Sequence, residues 1–138
     1  MVKQLSIFLQ NEAGKIAAIT RELASADINI RALTIADTTD FGILRMLVSD
    51  VDKAVEVLAK NGYMAKATDV TVVAVPDEPG GLANVLDIMA EGNVDIEYMY
   101  SYLGRDADTA YMIFRSGNEA ALADLLESHG IKVVNPEL

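Results

Sequence analysis

The chain carries nearly the same pattern twice. Asn11-Glu12-Ala13-Gly14-Lys15-Ile16 follows an apolar run and opens a helical periodicity. Asp77-Glu78-Pro79-Gly80-Gly81-Leu82 does the same 66 positions later. Fifteen residues after each glycine a short polar residue, Asn29 or Asp95, stands between apolar neighbours, in the triplets INI and VDI. A period of this length is too long for a solenoid repeat and fits a small domain. The pattern therefore predicts a tandem duplication, with copies at 1–68 and 69–138, and places any site where two copies meet.

Each copy reads as βαββαβ. In the first, alternation over 3–10 predicts a strand with Leu5, Ile7 and Leu9 on one face. Ile16, Ile19, Thr20 and Leu23 mark an amphipathic helix over 14–25. Strands 28–36 and 42–49 flank the turn cluster Asp37-Thr38-Thr39-Asp40. Val51, Ala54, Val55 and Leu58 give a second helix ending at Asn61-Gly62, a C-capping glycine, and 63–68 a last strand. The second copy repeats this: strand 69–76, helix 80–91, strand 94–103, a turn at Gly104-Arg105-Asp106, strand 108–115, helix 118–129 and strand 131–135. The expected fold class is α+β, two ferredoxin-like domains side by side, each an antiparallel sheet with both helices on one face. A domain of under 70 residues buries only about 60% of its unfolded surface and leaves sheet edges unpaired. Packing two copies together answers both problems.

Composition narrows the function classes. Apolar residues make up 51% of the chain, ample for a core, and the apolar runs are too short to cross a membrane or form a secretory signal. Cysteine is absent, which removes disulfides, thiolate metal sites and cysteine nucleophiles and fits a cytoplasmic location. The net charge of −10 falls entirely in the second copy: residues 1–68 hold 8 Lys+Arg against 8 Asp+Glu, residues 69–138 hold 3 against 13. Such a surface repels phosphate backbones and argues against nucleic-acid binding. It reads as a solvated face, or alternatively as a docking face for a basic partner enzyme.

The strand-to-helix corner is where chemistry is expected. A glycine at helix entry lets the backbone turn sharply and lets a ligand approach it. The first helical turn leaves N–H groups unpaired and carries partial positive charge, which suits a carboxylate or phosphate. Asn11 and Asn29 add amides that both donate and accept. Together these can hold the two ends of a free amino acid. A purely structural reading stays open: Asn11 and Asp77 are good helix N-caps, Pro79 suits a first helical position, and Asn29 and Asp95 suit turns.

The corner NEAGKIAAIT with ADINI, and its echo DEPGGLANVL with GNVDI, resemble the ACT domain, a small amino-acid-binding regulatory module. The resemblance covers essentially the whole chain as two consecutive ACT domains with no enzyme attached. It implies a non-catalytic allosteric regulator that binds a free amino acid between domains, through the first loop and the start of the second strand. Carried over by position, the ligand contacts are Asn11, Glu12, Ala13, Gly14, Lys15, Ile16, Asn29 and Ile30, with Asp77, Glu78, Pro79, Gly80, Gly81, Leu82, Asp95 and Ile96 in the second copy. Asp77 and Asp95 depart from the asparagines of serine-binding members, and Ala13 replaces the usual proline. The resemblance implies no cofactor, no metal and no membrane. It is compatible with a homodimer and with a metabolic enzyme as partner. The alternative is a regulatory subunit that docks on an enzyme with vestigial ligand sites.

Other residues read as structural. His129, the single histidine, ends a helix and suits capping or packing. Asp106 and Asp108 suit a solvated hairpin turn. Tyr98, Tyr100 and Tyr102 share a strand face with Tyr111 beside them, a core or contact face or else a pocket wall. Arg31 and Arg45 read as lining the open sheet face, with a ligand carboxylate as the alternative. No nucleophile with a base at motif spacing and no phosphate loop is present.

Overall fold

The computed structural model describes residues 1–10, 12–37, 41–102, 104 and 107–136. The chain divides into two compact units, one of Lys3–Thr68 and one of Met1–Val2 with Asp69–Pro136.

The first unit contains β1 (Val2–Gln10), α1 (Lys15–Ser25), β2 (Ile30–Asp37), β3 (Phe41–Val48), α2 (Val51–Lys60) and the opening of β4 (Met64–Pro76). Its strands lie in the order β2-β3-β1-β4. β1 and β2 both run antiparallel to β3, with Ile7 opposite Leu44 and Ile35 opposite Leu44 from the other side. The period-2 pattern puts Leu5, Ile7 and Leu9 on one face of β1, next to Leu44, Met46 and Val48 of β3. Ile19 and Leu23 of α1 and Ala54 and Leu58 of α2 close over them in one core. Both helices therefore cover a single face. On the other face Gln4, Ser6 and Thr68 form a polar chain, with Gln4 Nε2 donating to Ser6 Oγ at 3.0 Å and Ser6 Oγ 3.1 Å from Thr68 Oγ1.

The second unit repeats the plan with the rest of β4, α3 (Gly81–Glu91), β5 (Tyr98–Tyr102), β6 (Thr109–Arg115), α4 (Glu119–Ser128) and β7 (Lys132–Val134). Its strand order is β5-β6-β4-β7. Val73, Val75 and Phe114 meet Val85, Ile88, Met89, Leu122 and Leu126 in a core of its own. These are tandem ferredoxin-like βαββαβ modules, as the periodicity predicts.

Helix ends follow from local chemistry. α2 opens at Asp50, whose side chain accepts from the Lys53 N–H, and closes at Gly62, where the Tyr63 and Gly62 N–H groups return to the carbonyls of Leu58 and Ala59. His129 caps α4 as expected, its Nδ1 3.0 Å from the Leu125 carbonyl oxygen. α4 opens the same way as α2, at Asn118, whose side chain accepts from the Ala121 N–H at 3.3 Å, with a second acceptor beside it. The carboxylate of Glu119, only 4% exposed, accepts from the Ser116 N–H at 2.7 Å, the Ser116 hydroxyl at 3.0 Å, the Gly117 N–H at 3.2 Å and Arg115 Nη1 at 3.3 Å.

Three expectations are corrected. The strands expected at 63–68 and 69–76 are one continuous strand, β4. Of the strand expected at 94–103, residues 98–102 pair, while β6 leaves the sheet at Arg115, where Ser116 and Gly117 turn to bond Glu119, so residues 94–96 have no ladder partner; Leu103 lies outside the described residues. Neither Pro79 nor Asp77 holds the helix position that its residue type suggests. Gly80 is the N-cap of α3, so Pro79 lies before the helix and Asp77 does not cap it. The turn residues 38–40 and 105–106, like Asn11, lie outside the described residues.

Candidate functional site

The two corners have the same backbone. Gly14 caps α1 at φ 85°, ψ −8°, and Gly80 caps α3 at φ 87°, ψ −9°. This left-handed conformation costs an L-residue roughly 1–2 kcal/mol, which is why glycine stands there. The hydrogen bonds match as well. Glu12 N–H donates to the Gln10 carbonyl and Glu78 N–H to that of Pro76; Lys15 N–H donates to Glu12 and Gly81 N–H to Glu78. The first helical bonds run from Ala18 to Gly14 and from Asn84 to Gly80, both at 3.0 Å. Between lie the N–H groups of Ile16 and Ala17, and of Leu82 and Ala83. A glycine cap has no side chain to offer them, and neither first turn holds an acid. Among the described residues nothing accepts from these donors, so each corner offers them together with the positive end of a helix dipole.

The corners differ in what surrounds them. In the first unit a cavity of about 310 Å³ opens beside Lys15, between Leu9 and Gln10 at the end of β1 and Gly62, Tyr63 and Met64 where α2 gives way to β4. That volume sits at the low end of the roughly 300–1,000 Å³ of small-molecule sites. In the second unit Gly81 replaces Lys15, and a Cβ there would lie 2.2 Å from the Pro76 carbonyl oxygen. That corner is tighter and has no base. Asp77 N–H donates to the Asp108 carbonyl at 2.9 Å, tying it to the neighbouring hairpin.

The strand starts are elsewhere. Asn29 is exposed; its N–H donates to Ser49 Oγ and its carbonyl accepts from the Ser49 N–H, both at 2.9 Å. Gln10, just before the corner, opposes Phe41, whereas Ile30 opposes Val48. Seven residue steps separate those levels, roughly 24 Å along the strand at about 3.4 Å per step. In the second unit Pro76 opposes Thr109 and Tyr98 opposes Arg115, with Asp95 and Ile96 still further along. Corner and strand start therefore lie at opposite ends of each sheet, several amino-acid lengths apart. Residues 12–16 are together, as are 77–82, but neither group shares a site with the strand start of its own module.

Phe8, Asn61, Gly62, Tyr63 and Met64 line the cavity and were not expected there. Their signal in the sequence is topological: in a split βαβ module the fourth strand pairs with the first, which brings its opening residues to the first corner. Among the described residues no cluster of His, Cys, Asp or Glu could hold a metal, and no helix is long and apolar enough to cross a membrane.

Two ferredoxin-like modules in tandem, each with an uncapped glycine corner, define the class of protein. The family model of the ACT domain pair matches residues 1–136, and the chain belongs to that family. It is similar to protein BT0572 from Bacteroides thetaiotaomicron, with 39% identity, 99% of this chain and 93% of that one covered, and a TM-score of 0.91. The same fold occurs in the ligand-free regulatory subunit of aspartate kinase from Thermus thermophilus, at 16% identity, 91% coverage of each chain and a TM-score of 0.66. It also occurs in the corresponding subunit from Thermus flavus, at 16% identity, 93% coverage of each chain and a TM-score of 0.58. No curated protein matches the chain.

Proposed function

We propose that the chain is a non-catalytic regulatory protein that binds a free amino acid. The carboxylate takes the first-turn N–H groups of a corner: Ile16 and Ala17 with Lys15 in the first, Leu82 and Ala83 in the second. Asn11, Glu12, Ala13 and Gly14, and Asp77, Glu78, Pro79, Gly80 and Gly81, shape the loops around it. The strand starts, Asn29-Ile30 and Asp95-Ile96, contribute the remaining polar contacts. Since corner and strand start are far apart within a module, a ligand using both draws them from two modules, and the site is one of association. Binding then favours one arrangement of modules, which a metabolic enzyme can read.

The observation that carries this reading is the pair of corners with the same conformation, left uncapped by glycine, the first opening on a cavity of amino-acid scale. The family supports it, as does the naming of two relatives of this fold as regulatory subunits of aspartate kinase.

The test is thermal melting of the full chain with each common L-amino acid, followed by calorimetry on those that raise the melting temperature. One or a few amino acids should stabilise the chain, and Asn29→Ala should weaken binding by roughly 1–3 kcal/mol, the cost of an unmet polar group. A chain that melts identically with all of them is a docking subunit with vestigial sites, and the ligand reading fails.

A further inference from the structure

We propose that Arg31 is a carboxylate-binding residue of the ligand site, and that the first strand start recognises an acidic side chain of the ligand. This rests on the reading that strand starts contribute to an amino-acid site.

The backbone first sets Arg31 apart. β2 pairs with β3 through Ile30 and Val48, then through Ala32 and Leu47, so the register slips between Ile30 and Ala32. Arg31 is the extra residue of the resulting bulge. A bulge releases one residue from the ladder and re-aims its side chain, and such features recur beside functional sites. Asn29, with its backbone held at both groups by Ser49, lies just before it.

One donor of the side chain is then left without an acceptor. Arg31 Nε is buried, and among the described residues no group accepts from it. A buried donor without an acceptor is costly, and more so on a charged group. Arg115 shows what this fold does with a structural arginine: it donates to Glu97, to Glu119 and to the Asp69 carbonyl. Arg31 has no counterpart of these bonds among the described residues.

The second copy sharpens the contrast. Sixty-six positions on from Arg31 stands Glu97, and Arg115 opposes Tyr98 in the register as Leu47 opposes Ala32. Glu97 and Arg115 pair at 3.2 Å, so the second module neutralises this position internally. The first presents a cation and a neutral amide, Arg31 and Asn29; the second presents the carboxylate of Asp95 beside a neutralised pair. A guanidinium fork matches a carboxylate through two parallel N–H donors. An aspartate matches an ammonium. The two strand starts thus suit groups of opposite charge, and the sites they complete choose different ligands. Because a corner holds the α-carboxylate, the carboxylate at Arg31 is that of an acidic side chain.

The test uses the full chain and the twenty standard L-amino acids, screened by melting and then by calorimetry. Arg31→Gln should weaken binding of the best ligand by about tenfold or more, the scale of a lost charged hydrogen bond. Wild type should bind glutamate over glutamine, or aspartate over asparagine, and that preference should vanish in Arg31→Gln. Arg31→Lys keeps the charge without the fork and should fall between; it also decides the matter if Arg31→Gln does not fold. Wild type that binds an amino acid, with both variants binding it within twofold, overturns the role of Arg31 alone. Wild type that binds none overturns the ligand reading and this inference with it.

Discussion

At the residue scale, two positions separate structure from recognition. Gly81 is fixed by the Pro76 carbonyl, so Gly81→Ala must displace backbone. We expect a loss of about 1–3 kcal/mol, the usual cost of overpacking, measured by urea unfolding. Lys15 occupies the same place in the first copy, half-exposed at the cavity. Lys15→Ala should change stability by no more than about 0.5 kcal/mol, while calorimetry shows weaker ligand binding. Glu119 is a structural acid. Glu119→Gln must present an amide N–H₂ to a ring of donors, at a cost of about 1–3 kcal/mol. A variant as stable as the parent would show that this carboxylate does not hold the α4 entry. None of these roles is visible from residue type. A glutamate three residues after a serine looks like an ordinary capping partner, and its burial follows only from the packing of α4.

At the element scale, helices were legible nearly to the residue because they are local. Their apolar stripes, and Gly62 at the end of α2, act within a few residues. Asp50→Ala should cost about 1 kcal/mol, the worth of the cap it gives to Lys53, read as a lowered unfolding midpoint at unchanged slope. Strands were less legible because their ends are set by partners far away in sequence. β5 begins at Tyr98 because β6 stops at Arg115, and nothing in residues 94–97 encodes where β6 turns away. β4 runs unbroken from Met64 to Pro76 because no Gly or Pro interrupts it and strand partners exist along both parts.

At the scale of the whole molecule, β4 is the element shared by both sets of strands, and the Thr68–Asp69 junction lies within it. Each unit has its own core, yet a cut there divides the strand. It also separates Met1–Val2 from the unit with which they group, where Val2 is 5% exposed. We therefore propose 1–68 and 69–138 as the functional modules but expect them to fold poorly apart. Expressed alone, each half should unfold at lower denaturant than the full chain, or without a cooperative transition. Two monomeric halves, each as stable and cooperative as the parent, would defeat this.

The sequence alone determined the duplication, the order of elements, the helix-facing cores and the position of both corners. Periodicity, glycine placement and repetition are properties of neighbours along the chain. The tertiary structure decided what depends on distant partners. It made the caps glycine rather than asparagine or aspartate. It brought Tyr63 and Met64 beside Lys15 and put corner and strand start at opposite ends of each sheet. It also left Arg31 in a bulge with a donor that none of the described residues accepts. Pairing register and burial arise only when residues tens of positions apart compete for the same space, and a linear pattern does not carry the outcome of that competition.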